Sequence, residues 1–87
     1  IIFGGSGQGE AIAANKVKGA RAVAIYSLNK KIVELTKQHN NANVLSLGAR
    51  FLKEKEAISI VKIWLKTKFS KEKRHIRRLD KIARYEK

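Results

Sequence analysis

Three short runs of strand character, Ile1–Phe3, Ala20–Tyr26 and Asn43–Leu47, alternate with stretches of helical spacing, and that alternation leaves few folds open. Residues from Glu10 to about Val17 are alanine-rich and read as a helix, with an acidic side chain in the first turn, where the dipole favours it, and Gly19 as its stop. Ser27-Leu28-Asn29 is a loop in which Asn29 or Ser27 can cap the next helix. Ile32, Val33, Leu35 and Thr36 recur at helical spacing across Lys30–His39. Ala57, Ile60, Val61, Trp64 and Leu65 do so across Glu54–Lys66, and Ser70 is the expected cap of a last helix reaching about Tyr85.

Strand and helix in alternation predict an α/β fold with parallel strands and right-handed crossover helices. The expected architecture is an open, doubly wound, Rossmann-like sheet. It is partial, with three strands, and a basic C-terminal helix follows it. Ligands in such sheets bind beyond the carboxyl ends of the strands. The loops there are Gly4–Gly9, Ser27–Asn29 and Gly48–Lys53.

The chain has 87 residues, enough for one small domain with a modest core. An apolar run at the very first residue is unusual for a natural terminus, so the expectation is a fragment whose upstream part is missing. Cysteine is absent, which removes disulfides, zinc–thiolate sites and a thiol nucleophile. No metal and no cofactor are expected. No apolar run approaches the roughly 20 residues of a membrane span, and a cytoplasmic location is the default expectation.

The formal net charge of +13 favours anionic partners. Residues 66–87 concentrate it, with ten basic side chains against three acidic ones. Arg74 and Arg78 lie four apart and share a helix face with Arg77 and Lys81, while Ile76, Leu79, Ile82 and Ala83 make an apolar face. Guanidinium pairs suit phosphate oxygens, and a solvated basic face or a nucleic-acid patch has the same pattern.

The glycine segment Gly4-Gly5-Ser6-Gly7-Gln8-Gly9 sits between a strand and a helix and presents main-chain N–H groups to an anion. It is neither of two familiar phosphate loops. The dinucleotide fingerprint requires glycine where Glu10 or Ile12 stands, and the P-loop requires lysine where Glu10 follows Gly9. A carboxylate beside main-chain donors suits carbanion chemistry: it can take a proton next to a carbonyl while N–H groups hold the developing enediolate oxygen. The same residues are also consistent with a plain tight turn and a dipole-complementing glutamate.

The stretch from Gly4 to Ala22 strongly resembles the glycine loop and following helix of type B ribose-5-phosphate isomerases, a family that includes galactose-6-phosphate isomerase subunits. Further matches come in order at Gln38–Leu45, at Leu47-Gly48-Ala49-Arg50 and at Arg74-His75-Ile76-Arg77-Arg78, so the resemblance runs over essentially the whole chain. It implies that residues 1–87 are the C-terminal half of one sugar-phosphate isomerase domain whose N-terminal half is absent. Many members place a cysteine base near the position of Gly5 or Ser6. A second branch uses a glutamate after Gly-Ser-Gly-x-Gly, and Gly5-Ser6-Gly7-Gln8-Gly9-Glu10 matches that branch.

The resemblance therefore implies Glu10 as the base moving a proton between C1 and C2, with Ser6 bonded to the reacting oxygens. Gly7, Gln8 and Gly9 would supply the anion hole. His39 would assist opening of the furanose ring, although on its own it also reads as a histidine offsetting a helix dipole. Asn40 would contact the sugar or only cap its helix. Arg50, Arg74 and Arg78 would bind substrate or phosphate.

The implied activity is aldose–ketose isomerisation of a phosphorylated sugar, ribose 5-phosphate to ribulose 5-phosphate, without metal. The implied assembly is a homodimer or higher homo-oligomer with a shared active site, in which this fragment alone would be inactive. Two other readings compete, a basic nucleic-acid-binding module and an inactive dimerisation fragment. The chain has no obvious aromatic stacking platform and no helix-turn-helix pattern, so no specific nucleic-acid partner is expected.

Overall fold

The computed structural model describes residues 1–86. The basic residue Lys87, counted above with the tail, lies outside them. The elements are β1 (Ile2–Gly4), α1 (Gln8–Ala14), β2 (Ala22–Ile25), α2 (Lys30–Gln38), β3 (Val44–Gly48), α3 (Glu54–Lys66) and α4 (Lys73–Ala83). The strands form one parallel sheet in the order β1-β3-β2, with Phe3 opposite Leu47 and Ala24 opposite Ser46. The first crossover passes over β3 and the second returns in the opposite direction. Right-handed connections therefore put α1 on one face and α2 on the other. This is the expected open, doubly wound α/β sheet.

Alternation along β3 separates the two faces. Leu45 and Leu47 join Ile25, Val33, Ala42, Ile60 and Trp64 in the buried core. Ser46, between them, is fully buried and points to the other side, where its hydroxyl donates to the Gly7 carbonyl at 2.7 Å. Apolar positions of α2 and α3 thus build the core on one face, and a single polar side chain fastens the glycine loop on the other.

The element boundaries differ from the sequence expectation in instructive places. Gly4 belongs to β1, and α1 starts at Gln8, because Gly7 takes a left-handed conformation (φ 77°) that turns the chain straight into the helix. The helix ends at Ala14, short of Val17. Asn15 closes it and ties itself to the start of β2, accepting from the Ala22 N–H at 2.7 Å and donating to the Ala22 carbonyl at 3.0 Å. Gly19, expected as the helix stop, is a later left-handed turn. Asn29 caps α2 as expected, its side chain accepting from the Ile32 N–H at 3.2 Å.

Ser70 is not the cap of α4. The helix begins three residues later, and Ser70 Oγ accepts the Glu72 N–H and bonds His75 instead. The buried residue of α4 is His75, while Ile76 and Ile82 of the expected apolar face remain largely exposed. No helix among the described residues is long and apolar enough to cross a membrane.

Candidate active site

The glycine loop is held by its own backbone. The Gly4 carbonyl accepts from the Ala49 N–H at 2.7 Å, and the Gly5 carbonyl accepts from the Arg50 N–H at 3.0 Å. The Gly7 carbonyl is shared between the Ala11 N–H and the Ser46 hydroxyl. Three successive anchors join the loop to β3 and to the turn after it, so its position follows from the parallel pairing of β1 with β3.

Two side chains lie against this loop where a Cβ would otherwise stand. The Glu10 carboxylate occupies the space beside Gly4, and the Arg50 guanidinium lies over Gly5, with Nε 3.2 Å from where a Cβ would be. Glycine at these positions is what lets an anion and a cation approach the main chain so closely. Glu10 makes no ion pair among the described residues. Its carboxylate faces the loop, and the residue is exposed to solvent.

The amides of the loop divide into spent and free. The Gln8 N–H donates to Ser6 Oγ at 3.2 Å, so this one of the three expected anion-hole donors is already engaged. The N–H groups of Gly7 and Gly9 make no hydrogen bond among the described residues. Ser6 Oγ accepts from Gln8 and keeps its own proton to donate outward. Tyr26 and Phe51, from the turns after β2 and β3, meet edge to face at 6.1 Å at the same end of the sheet.

The other predicted residues gather elsewhere. His39 follows the last turn of α2, and Asn40 follows it, exposed, in the turn before β3. A helix returning between two parallel strands ends at their amino-terminal edge, so both residues sit at the opposite end of the sheet from Glu10. The His39 ring stacks on His75 of α4, centroids 4.1 Å apart and planes 32° from parallel. Arg74 and Arg78 flank His75 on that helix, and both are exposed. Arg74 also reaches Glu72 at 3.3 Å across open surface.

Within one chain, then, Glu10, Ser6, Gly7, Gly9 and Arg50 form one cluster, and His39, Asn40, Arg74 and Arg78 form another. The five residues of β3 separate them by about 16 Å at 3.3 Å per residue.

Sequence reasoning missed His75 and Ser46 as parts of these clusters. His75 is 2% exposed, and burial together with the neighbouring His39, Arg74 and Arg78 charges holds its pKa below 6.5, against a smaller opposing pull from Glu72. The available signal for Ser46 was a lone hydroxyl in the apolar run Val44-Leu45-Ser46-Leu47. For His75 it was an imidazole inside an otherwise cationic run.

A cavity of about 580 Å³ lies apart from both clusters. It is an apolar groove beside β1 and α3, lined by Phe3, Leu52, Ala57, Ile58 and Val61 among others. Among the described residues no group of three or more His, Asp or Glu side chains is placed to hold a metal ion.

The parallel α/β sheet thus carries a carboxylate against a glycine loop with free main-chain amides at one end and a basic helix at the other. Comparison with known proteins gives the family. The sequence model of the family described as Ribose/Galactose Isomerase matches residues 1–82, and the chain belongs to that family. It is 49% identical over 87 residues to the probable ribose-5-phosphate isomerase B of Mycoplasma genitalium, covering 100% of this chain and 55% of that protein. It is 45% identical over 87 residues to ribose-5-phosphate isomerase B of Mycobacterium tuberculosis strain H37Rv, covering 100% of this chain and 52% of that protein. The crystal structure of the M. genitalium enzyme with bound ribulose-5-phosphate superposes with a TM-score of 0.89 at 49% identity, over 97% of this chain and 53% of that one. The chain thus spans about half the length of the relatives it matches.

Proposed function

We propose that this chain contributes to an aldose–ketose isomerase acting on a phosphorylated sugar, with ribose 5-phosphate and ribulose 5-phosphate as the pair. The observation that carries the reading is the Glu10 carboxylate set against Gly4 beside unoccupied loop amides, in a chain of this family. Glu10 takes the proton from C2 of the open-chain aldose and returns it to C1, while the hydroxyl proton of O2 passes to O1. The enediolate oxygen formed between those steps is met by the Gly7 and Gly9 N–H groups and the Ser6 hydroxyl, donors already in place and needing no reorganisation. Arg50, over Gly5, adds a fixed positive charge to the same opening. The bound ribulose-5-phosphate of the M. genitalium enzyme supports this choice of substrate.

His39, Asn40, Arg74 and Arg78 enter through a second copy of the protein. A five-carbon sugar phosphate is shorter than the span of β3, so one chain cannot apply both clusters to one molecule. A homodimer that brings the α2–α4 end of one protomer to the glycine loop of its partner completes the site. It supplies an imidazole for ring opening and two guanidinium groups for the phosphate. The free edge of β1 and the apolar groove beside it are the surface that the remaining half of a full-length family domain would cover.

Glu10→Gln tests the central assignment in an intact domain carrying these residues. Ketose formation from ribose 5-phosphate should fall roughly 10²–10⁴-fold in kcat, the usual contribution of a general base, with KM little changed. Turnover that survives the substitution refutes Glu10 as the base.

A further inference from the structure

The residue of α4 that the proposed chemistry leaves unused is its one buried side chain, His75. Its Nδ1 lies 2.9 Å from Ser70 Oγ and 3.4 Å from Glu72 Oε2. Ser70 Oγ already accepts the Glu72 N–H at 3.3 Å, so its own proton is available to Nδ1. A neutral His75 bonded in that way carries its hydrogen on Nε2. Its ring face lies against His39 at 4.1 Å. Two imidazolium ions at that separation repel strongly, and burial of one of them makes the doubly charged state still less favourable.

The attachment of α4 depends on few contacts. Besides the stacked rings, the Ser70 N–H donates to the Gln38 carbonyl at 3.1 Å, and the Gly19 N–H donates to the Glu86 carboxylate at 3.0 Å. His75 stands between Arg74 and Arg78 in the sequence, so whatever fixes its ring also fixes where those two side chains start.

We propose that His75 is a positioning residue: pinned by Ser70, its ring stacks on His39, sets the place of Arg74 and Arg78 relative to that imidazole, and lets only one ring of the pair hold an extra proton. The charged groups acting on His75 are His39 at the end of α2, Glu72 just before α4, and Arg74 and Arg78 on α4 itself. Lys37 of α2 is turned instead over the Trp64 ring, 4.1 Å from its centroid. Any catalytic meaning of the pair for opening a furanose ring rests on the function proposed above. The pairing itself does not.

The chain contains two histidines, so long-range ¹H–¹⁵N spectra of the ring nitrogens are assignable by simple substitution. A titration from about pH 8 to about pH 5 spans the ordinary histidine range. The expected result is a coupled pair, each ring showing an inflection where the other takes up its proton. His39→Phe, which keeps a ring in the stack, should raise the pH at which His75 is protonated. Ser70→Ala should shift neutral His75 away from the Nε2–H tautomer. Two independent single-site curves, together with an unmoved His75 midpoint in His39→Phe, would overturn the proposal. Should that variant not fold, the wild-type curves decide alone. These readouts involve no turnover, so their failure is separable from failure of Glu10→Gln.

Discussion

The two ends of the sheet are built in opposite ways. At the carboxyl ends of the strands, the glycine loop is fastened by main-chain groups: the Gly4, Gly5 and Gly7 carbonyls all have partners on β3, on the turn after it or on α1. At the amino-terminal edge, α4 is held mostly by side chains, a stack of two imidazoles, a serine hydroxyl and the Glu86 carboxylate, with one main-chain bond from Ser70 to Gln38. The first arrangement needs particular residues where a Cβ would collide and at Ser46, and the second needs them at most of its contacts. Glu10 lies against the first, and His39, Arg74 and Arg78 gather at the second.

The comparison breaks most readily at Gly7. An added Cβ there would stand 3.0 Å from the Leu47 carbonyl carbon and 3.1 Å from Ser46 Oγ, in a left-handed conformation. Gly7→Ala should destabilise the fold by about 3 kcal/mol, from about 1–2 for the backbone conformation and the rest from overpacking. Denaturant midpoints would show it, and an unchanged midpoint would mean the loop is not clamped on β3. Ser46→Ala comes next. It leaves the Gly7 carbonyl with one donor fewer in a buried place and should cost about 1–2 kcal/mol. The loss should be seen with little change at the α4 end, because the two clusters share no partner.

The third effect belongs to the histidine end and depends on pH. The folded pKa of His75 lies below the ordinary 6.5, through burial first and the His39 charge second. Unfolded protein therefore binds more protons than folded protein in that window, and stability rises with pH there. The contribution is complete above about 6.5 and disappears as pH falls through the folded value. Thermal melts below pH 6.5 should lose stability in the wild type and lose less of it in His75→Phe. Equal acid sensitivity in both would detach the effect from this ring.

Much of this was legible beforehand, and the reasons are physical. The order of strands and helices and the Asn29 cap follow from local propensity and spacing, whereas Gly4–Glu10 taken alone also fits a plain tight turn and was singled out by the family resemblance. What escaped depends on tertiary contact. Ser70 looked like a helix cap because serine before a helical pattern usually is one. Only the arrival of His75 beside it shows the hydroxyl bonding a ring. The resemblance implied Gln8 as an anion-hole donor, but its amide already donates to the Ser6 hydroxyl oxygen. The separation of His39 from Glu10 is a matter of strand direction, and no motif spacing encodes it.

Glu72 gives the smallest effect and the sharpest check on how the histidine end is held. Its carboxylate touches Arg74 Nη2 at 3.3 Å and His75 Nδ1 at 3.4 Å. The Arg74 pair is open to water, with side chains 57% and 53% exposed, so it should add less than about 1 kcal/mol. The His75 contact is an ion pair only when the ring is charged, and burial keeps it neutral near pH 7. Glu72→Gln should therefore leave the melting temperature at neutral pH nearly unchanged. It should also lower the pH at which His75 takes up its proton, because the one charge favouring the imidazolium is gone. A large loss of stability at neutral pH would show that α4 is held by charge, and the contrast between a backbone-clamped loop and a ring-clamped helix would have to be redrawn.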